Sequence, residues 1–546
     1  MARWRIARGR ASATLFAAIV VMGFTLPLRG QTPAFDLVVQ HGRIVDGTGN
    51  PWFVGDVAIK GDTIVVVAPQ IPPGGARVID ATGLVVAPGF IDVHSHSEDR
   101  IQGLDSVPLA ENNVRQGVTT VFGNPDGFGD VPIGPLLARV EAARPAINMG
   151  AFVGLGAVRG TVIGRAKRAA SGAERAQMRD LVSQAMEDGA FGLSTGLFYV
   201  PDNYAPLEEV IDLASVAGRY GGIHQSHMRD EAAHVMDSVT ETIAIGEQGH
   251  LPTQVTHHKI IGKANWGQSV NTLRLVDEAR ARGVDVTLDQ YPYTASSTSI
   301  EAGLVPQWAA EGGREALLGR LKDPTLGPRI RREIAGLIEN ERGGGDPANV
   351  TLASCDFDAA FAGKTLADRL RDRRSPVTFS AAADLVVEIV TKGSCWAVFH
   401  AINEDDLVRI LKYPYTMVAS DSLPGEPVFG RDVPHPRSYG TFARVLGVYV
   451  REKGSLTLED AVRKMTSLPA SRMRLMDRGL LRPGMKADLV IFDAATVKDL
   501  ATFEQPHQYA VGMTFVLVNG QAVLEDGKMT GARPGRVLHG PGYRPR

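Results

Sequence analysis

The sequence predicts an α/β protein: a (β/α)8, TIM-like barrel with a small β-domain built from both chain ends. Three observations carry this. Eight apolar strand-like runs alternate with helical stretches through the middle of the chain. Strand-and-turn segments occupy both ends instead. Histidines and one aspartate recur where the strand runs stop.

The ends come first. After about Phe35, "DLVVQHGRIVDGTG", "DVAIKGDTIVVVA" and "RVIDATGLVVAPG" alternate apolar and polar residues around Gly and Asp turns, the pattern of short half-buried strands. Near the other end, "ADLVIFD" and "FVLVNGQAVLEDGK" read the same way, with a hairpin signal at Asn519-Gly520. These segments predict one β-domain from residues 32–86 and 479–546.

Between them, in residues 87–478, the strand runs are "FIDVHSH", "VTTVFGN", "INMGAFVG", "AFGLSTG", "GGIHQSHM", "TQVTHHK", "VDVTLDQYPY" and "TMVASDS". Helical stretches such as "ERAQMRDLVSQAMEDG" and "APLEEVIDLASVAGRYG" separate most of them. Strands alternating with helices imply a parallel sheet, and eight is the closed-barrel number. A doubly wound open sheet is the alternative, but no glycine-rich phosphate fingerprint follows the first strand. The spacing breaks after Tyr293, where "REALLGRLKD" and "RIRREIAGLIENERGGG" predict a helical insertion at about 299–349, either a surface excursion or a lid.

Bulk composition narrows the function. With 546 residues, 44% hydrophobic, 22% charged and a net charge of -2, the chain has the make-up of a globular protein and lacks the basic excess of a nucleic-acid binder. Arg3, Arg5, Arg8 and Arg10 precede an uncharged stretch from Ala11 to Leu28, which predicts a signal peptide over residues 1–31 rather than a stable membrane anchor. The expected location is periplasmic or secreted. Cys355 and Cys395 either pair, as export would permit, or are two buried thiols. Oligomeric state is not legible.

The chemistry sits at the strand ends. In "FIDVHSHSEDR", His94 and His96 are two apart, and strand alternation turns them to one face. A lone His-x-His is a weak signal. Here, however, His227 closes the fifth strand, His257 the sixth and Asp421 the eighth, all at the carboxyl rim where barrel enzymes place their active sites. His224 and His258 alternate to the opposite face; His400 and His435 stand near the eighth strand as secondary candidates; His41, His234, His250, His507 and His539 read as surface or structural. Imidazole and carboxylate ligands suit zinc, as one or two ions, with a position open for water. An aspartate beside that water carries its proton to a leaving nitrogen, which describes metal-assisted amide hydrolysis. "LSTG" lacks the residues of a nucleophile elbow.

These residues, with "QGVTTVFGN", "GAFGLSTGLFYVP", "HMRDE", "THHKIIGKANWG", "DQYPYTASST", "HPRSYGTFARVLG", "KMTSLPASR", "GMKADLVIFD" and "TGARPGRVLHG", resemble the N-acyl-D-amino-acid deacylases (D-aminoacylases) of the amidohydrolase superfamily. The resemblance implies a distorted barrel beside a small β-sandwich. It implies that His94, His96, His227 and His257 bind metal, that Asp421 is the acid/base and can also touch metal, and that Lys259, Tyr291, Ser297 and Arg437 hold a small substrate's carboxylate. It implies zinc-dependent cleavage of a linear amide, N-acyl-D-amino acid to D-amino acid and carboxylate. Alternatives are a cyclic-amide hydrolase of the hydantoinase or dihydroorotase kind, a peptidase for D-residues, or a binding protein on a decayed scaffold. One departure stands out: relatives carry a zinc-binding cysteine in "GNCG", where this chain has "GNPDG" with Pro125 at that position, and Asp126 either supplies an oxygen ligand or closes the turn. "GLGAVR" likewise lacks a histidine that relatives often carry.

Overall fold

The computed structural model describes residues 35–96, 108–422 and 432–545. The expected signal peptide lies outside the described residues. Among those described, no helix is long and apolar enough to cross a membrane.

Eight parallel strands form the barrel. In order they are Phe90–Asp92, Val118–Gly123, Asn148–Ala151 continued by Val153–Gly154, Gly192–Gly196, Ile223–His227, Thr253–Val255, Val286–Gln290 and Thr416–Val418. The third strand changes partner around Phe152. Asn148–Ala151 pairs with the second strand, and Val153–Gly154 with the fourth. The ring closes between the first and eighth strands, where Ser95 bridges Ser422, the Asp421 N–H donates to the His94 carbonyl (2.9 Å) and the His96 N–H to the Ser422 carbonyl (2.8 Å). These strands are buried along their whole length, as parallel strands covered on both faces must be.

The crossover helices follow from local chemistry. Gly172–Asp188 starts in a reciprocal capping box between Ser171 and Glu174 and stops at Gly189, whose φ of 116° belongs to the left-handed region. Leu207–Arg219 buries Val210, Leu213, Ala214 and Ala217, a stripe of spacing three and four that faces the sheet.

Both chain ends join one nine-stranded sheet. N-terminal strands, from Leu37–Ile44 to Val85–Pro88, meet the C-terminal set where Val86 pairs with Ile491. Along Leu37–Ile44 the faces alternate: Leu37 and Val39 enter one apolar cluster, Val38 another. Asn519 and Gly520 form the two-residue hairpin turn, with φ of 48° and 80°.

The excursion after the seventh strand runs further than the sequence suggests. Beyond its helices it contains a four-stranded antiparallel sheet, in spatial order Ser296–Ser299, Cys395–Phe399, Val350–Cys355 and Lys364–Thr365. Leu304, Ile330, Ile334, Ile338, Val386 and Phe399 give it a core of its own. Cys355 and Cys395 are register partners in that sheet and form a disulfide. "SSTS" and "TLASC" carry too little apolar alternation to announce themselves as strands; distant partners make them so.

Candidate metal centre and substrate site

The first and eighth strands are locked together by a buried carboxylate. Asp92 accepts from the His94 N–H (3.2 Å) and the Ser420 N–H (3.0 Å), and from the Ser420 hydroxyl. Burial raises its pKa to about 7 against those bonds. Asp421, the residue after Ser420 and three beyond the end of the eighth strand, has a φ of 49°. His94 Nε2 and His96 Nε2 lie 3.6 and 3.2 Å from Asp421 Oδ1.

The other two histidines approach from the far side. His227 is flanked by the rings of Phe198 (5.4 Å) and Tyr199 (4.7 Å), and its own ring lies 4.3 Å from that of His257. The His257 N–H donates to Asp289 Oδ1 (2.7 Å), which fixes the turn at the end of the sixth strand. His224 and His258 take no part. His224 meets the hydroxyls of Thr195 (3.1 Å) and Thr253 (2.8 Å), and His258 that of Thr272 (2.8 Å).

Asp126 lies between the two pairs. Its Oδ1 is 3.4 Å from His94 Nε2 and 3.6 Å from His257 Nε2; its Oδ2 is 3.7 Å from His96 Nε2 and 3.6 Å from His227 Nδ1. The donors thus fall into two sets sharing one carboxylate: His94, His96, Asp126 and Asp421, and Asp126, His227 and His257.

These residues fit metal. Ligand bonds of about 2.0–2.1 Å in a tetrahedron put donor atoms about 3.4 Å apart, the spacing seen here. Both ring nitrogens of His94 and of His227, and Asp126 Oδ1, are buried and make no hydrogen bond among the described residues, where buried polar atoms are ordinarily paired. Burial opposes charge on Asp126, but His94, His227 and His257 outweigh it and hold the carboxyl well below the usual range. Burial and Lys259 both work against a charged His257, yet Asp126 and Glu231 raise its pKa to about 9.

Behind the histidines lies a buried hub that sequence reasoning missed. Glu231 Oε1 contacts Lys259 Nζ and lies 3.1 Å from His257 Nδ1, while Oε2 is 3.1 Å from Arg342 Nη2. Lys259 Nζ also donates to the His257 carbonyl (2.7 Å). Arg342 comes from the insertion and packs over Phe198 (4.4 Å). With Phe198 it lines a cavity of about 750 Å³ between barrel and insertion. Glu231 lies four residues after His227 in "HMRDE", a faint signal; Arg342, 111 residues from Glu231, had none.

The remaining expected residues are placed as follows. Arg437 Nη1 is 2.7 Å from Asp421 Oδ2, and its guanidinium lies 4.9 Å from the Tyr291 ring centre. Lys259 Nζ is 5.6 Å from the same ring, so two cations flank Tyr291. The Tyr291 hydroxyl is buried with no hydrogen-bond partner among the described residues. Ser297 is half-buried; Ser296 and Thr298, on the opposite side of that strand, face Arg342 (3.5 Å) and Tyr199 (3.3 Å). His435 serves Arg437: its Nδ1 accepts from the Arg437 N–H (3.1 Å), and its Nε2 donates to the Ala295 carbonyl (3.0 Å).

Comparison with known proteins places the fold in a family. Residues 77–524 match the model of a family described as Amidohydrolase family. The D-aminoacylase of Alcaligenes xylosoxydans xylosoxydans is 36% identical over 528 residues, which covers 92% of this chain and 97% of that one. A D-aminoacylase structure with a binuclear metal centre superposes with a TM-score of 0.78, at 34% identity over 92% of this chain and 100% of that one. The N-acyl-D-glutamate deacylase of Bordetella bronchiseptica, complexed with zinc and a phosphonate mimic of the tetrahedral intermediate, gives the same TM-score of 0.78 and identity of 34%, over 92% of this chain and 99% of that one.

Proposed function

The chain belongs to the amidohydrolase family, and from that premise we propose that it is a zinc-dependent hydrolase of N-acyl-D-amino acids, releasing the D-amino acid and a carboxylate. It is a metal-dependent amidohydrolase of a linear, non-peptide carbon–nitrogen bond. The observation that carries the substrate class is the contact between Asp421 and Arg437 beside the histidine cluster.

A bound zinc ion supplies Lewis acidity, polarising the scissile carbonyl and making water nucleophilic near neutral pH. The chain's own residues do the rest. Asp421 turns Oδ1 to His94 and His96 and Oδ2 to Arg437. From there it takes the proton of the attacking water and hands it to the leaving amide nitrogen. Burial disfavours the charged carboxylate, but Arg437 and then His96 and His94 more than offset this, so Asp421 starts as a base.

Recognition uses the far side of the same carboxylate. Arg437 has fork donors beyond the one at Asp421, suited to a substrate carboxylate. The Tyr291 hydroxyl, unpaired among the described residues, adds a neutral donor. Lys259 is already committed to Glu231, so it contributes field more than direct contact. Lys259 and Arg342 pair with Glu231, and Arg437 with Asp421; a bound divalent ion would add positive charge that favours an anionic substrate.

We also place the mature enzyme outside the cytoplasm. The basic start followed by an apolar run and the Cys355–Cys395 disulfide support this.

The decisive assay measures hydrolysis of a panel of N-acetyl-D-amino acids, their L-enantiomers, hydantoins and dipeptides. Turnover of the N-acetyl-D-amino acids is expected. Turnover confined to cyclic amides overturns the assignment, and no metal with no turnover favours a binding protein.

A further inference from the structure

The geometry points to a binuclear, thiolate-free metal centre in which the Asp126 carboxylate is the bridge between the two ions, in the segment where Pro125 leaves the chain without a cysteine ligand. The inference rests on the metal-dependent reading above and goes beyond it, assigning a ligand and a metal preference particular to this chain.

The turn is built to deliver this side chain. Asn124, Asp126 and Gly127 all have left-handed φ values, 55°, 55° and 75°. Asn and Asp tolerate that region better than other residues with a Cβ. The Ser194 hydroxyl donates to the Asn124 carbonyl (2.6 Å) and accepts from the Gly127 N–H (3.2 Å), tying the turn to the fourth strand. The fourth strand passes so close that a Cβ on Gly196 would sit 2.0 Å from the Asp126 carbonyl oxygen. A Cβ on Gly127 would sit 2.1 Å from Asp202 Oδ2. With backbone fixed from both sides, the carboxylate of residue 126 enters the cluster that the side chain of residue 125 cannot reach with a donor.

The spacing separates an ion bridge from an ordinary ion pair. Charge-assisted N–H···O bonds run about 2.7–2.9 Å. All four imidazole contacts of Asp126 lie between 3.4 and 3.7 Å. Nitrogens from both histidine pairs lie at that distance, so the Asp126 carboxylate is common to the two donor sets, His94 and His96 with Asp421 on one side and His227 with His257 on the other. Oxygen is a harder donor than sulfur, so such a centre should accept manganese alongside zinc more readily than a thiolate-bridged one. The two cysteines of the chain are joined in the insertion, so no free thiol remains in the described residues.

The test reads metal directly, without substrate. Purified full-length protein and its Asp126→Ala, Asp126→Asn and Asp126→Cys variants are equilibrated with Zn²⁺ or Mn²⁺, and metal content and affinity are measured by mass spectrometry and titration. Wild type should bind two ions per chain, with an exchange-coupled Mn²⁺ pair in its electron paramagnetic resonance spectrum. Asp126→Ala should bind no more than one and lose the coupling. Asp126→Asn, nearly isosteric and checked for folding by circular dichroism, should weaken the second ion by about tenfold or more. Asp126→Cys should regain two and shift preference toward Zn²⁺ by about tenfold or more. With Co²⁺, only Asp126→Cys should show a sulfur-to-metal charge-transfer band. One ion per chain in wild type, or two uncoupled ions in a folded Asp126→Ala, overturns the bridge. Either result leaves the hydrolase assignment standing, because a one-ion enzyme can still cleave the amide; failure to cleave any amide leaves the stoichiometry readable.

Discussion

Arg437 Nη1 lies 2.7 Å from Asp421 Oδ2, so the group assigned to move the proton and the group assigned to recognise the substrate touch each other. Recognition and chemistry are therefore coupled through one carboxylate. Substitutions on either side should be read with that coupling in mind.

Arg437→Met should cost on the order of 2–5 kcal/mol in kcat/KM for substrates bearing a free carboxylate, the scale of losing one partner of a buried charge pair. Substrates whose carboxylate is replaced by a neutral amide should lose less, but not nothing, since Asp421 also loses its counter-ion. Steady-state kinetics on matched acid and amide substrates checks this. Equal losses would confine the arginine's role to holding Asp421.

Asp421→Asn should lower kcat by about 100-fold or more, the usual weight of general acid–base catalysis. His94, His96, His227, His257 and Asp126 remain, so the purified variant should still contain metal. Single-turnover assays beside elemental analysis distinguish lost proton transfer from lost metal.

Glu231→Gln removes the charge shared by Lys259, Arg342 and His257 Nδ1. A carboxylate behind a ligating histidine orients the ring and raises its basicity, and its loss costs about 10–100-fold in metal affinity. Competition with a chelator should show that weakening. Arg342→Ala, which leaves Glu231 beside His257, should show a smaller one.

His224 supplies a pH prediction away from the centre. Burial lowers its pKa to about 3, whereas an unfolded histidine titrates near about 6.5. Between those values the unfolded chain binds the extra proton, so stability falls as pH falls through that window. His224→Gln keeps a partner for Thr195 or Thr253 and cannot titrate. From pH 7 to pH 5, urea denaturation of the variant should show a stability loss smaller than wild type by about 2 kcal/mol.

The Cys355–Cys395 bridge closes a 40-residue separation within the insertion. Cys355→Ser together with Cys395→Ser should destabilise that module by about 2–4 kcal/mol. Protein isolated from a fractionated native host should show no titratable thiol before reduction, and N-terminal sequencing should find it starting near Gln31. An intact Met1 in a cytosolic fraction would refute export.

Sequence alone determined the barrel strands, the four histidines and Asp421, because each depends on local pattern: a short apolar run, a side-chain period of two, and a polar residue where the run stops. The Asn519-Gly520 hairpin was legible for the same reason, its two positive φ values being written in the residue types. Tertiary structure decided what depends on distance. Whether Asp126 closed a turn or faced the histidine cluster hung on left-handed backbone at residues 124, 126 and 127, clamped by Ser194 and Gly196 some 70 residues on. Lys259 read as an open cation until Glu231 and Arg342 took their places around it. The insertion's sheet stayed hidden because small polar strands such as Ser296–Ser299 acquire their register only from a partner, here Cys395–Phe399 about a hundred residues away. A carboxylate's role is set by the charges within a few ångströms of it, and chain separation carries no information about those until the fold brings them together.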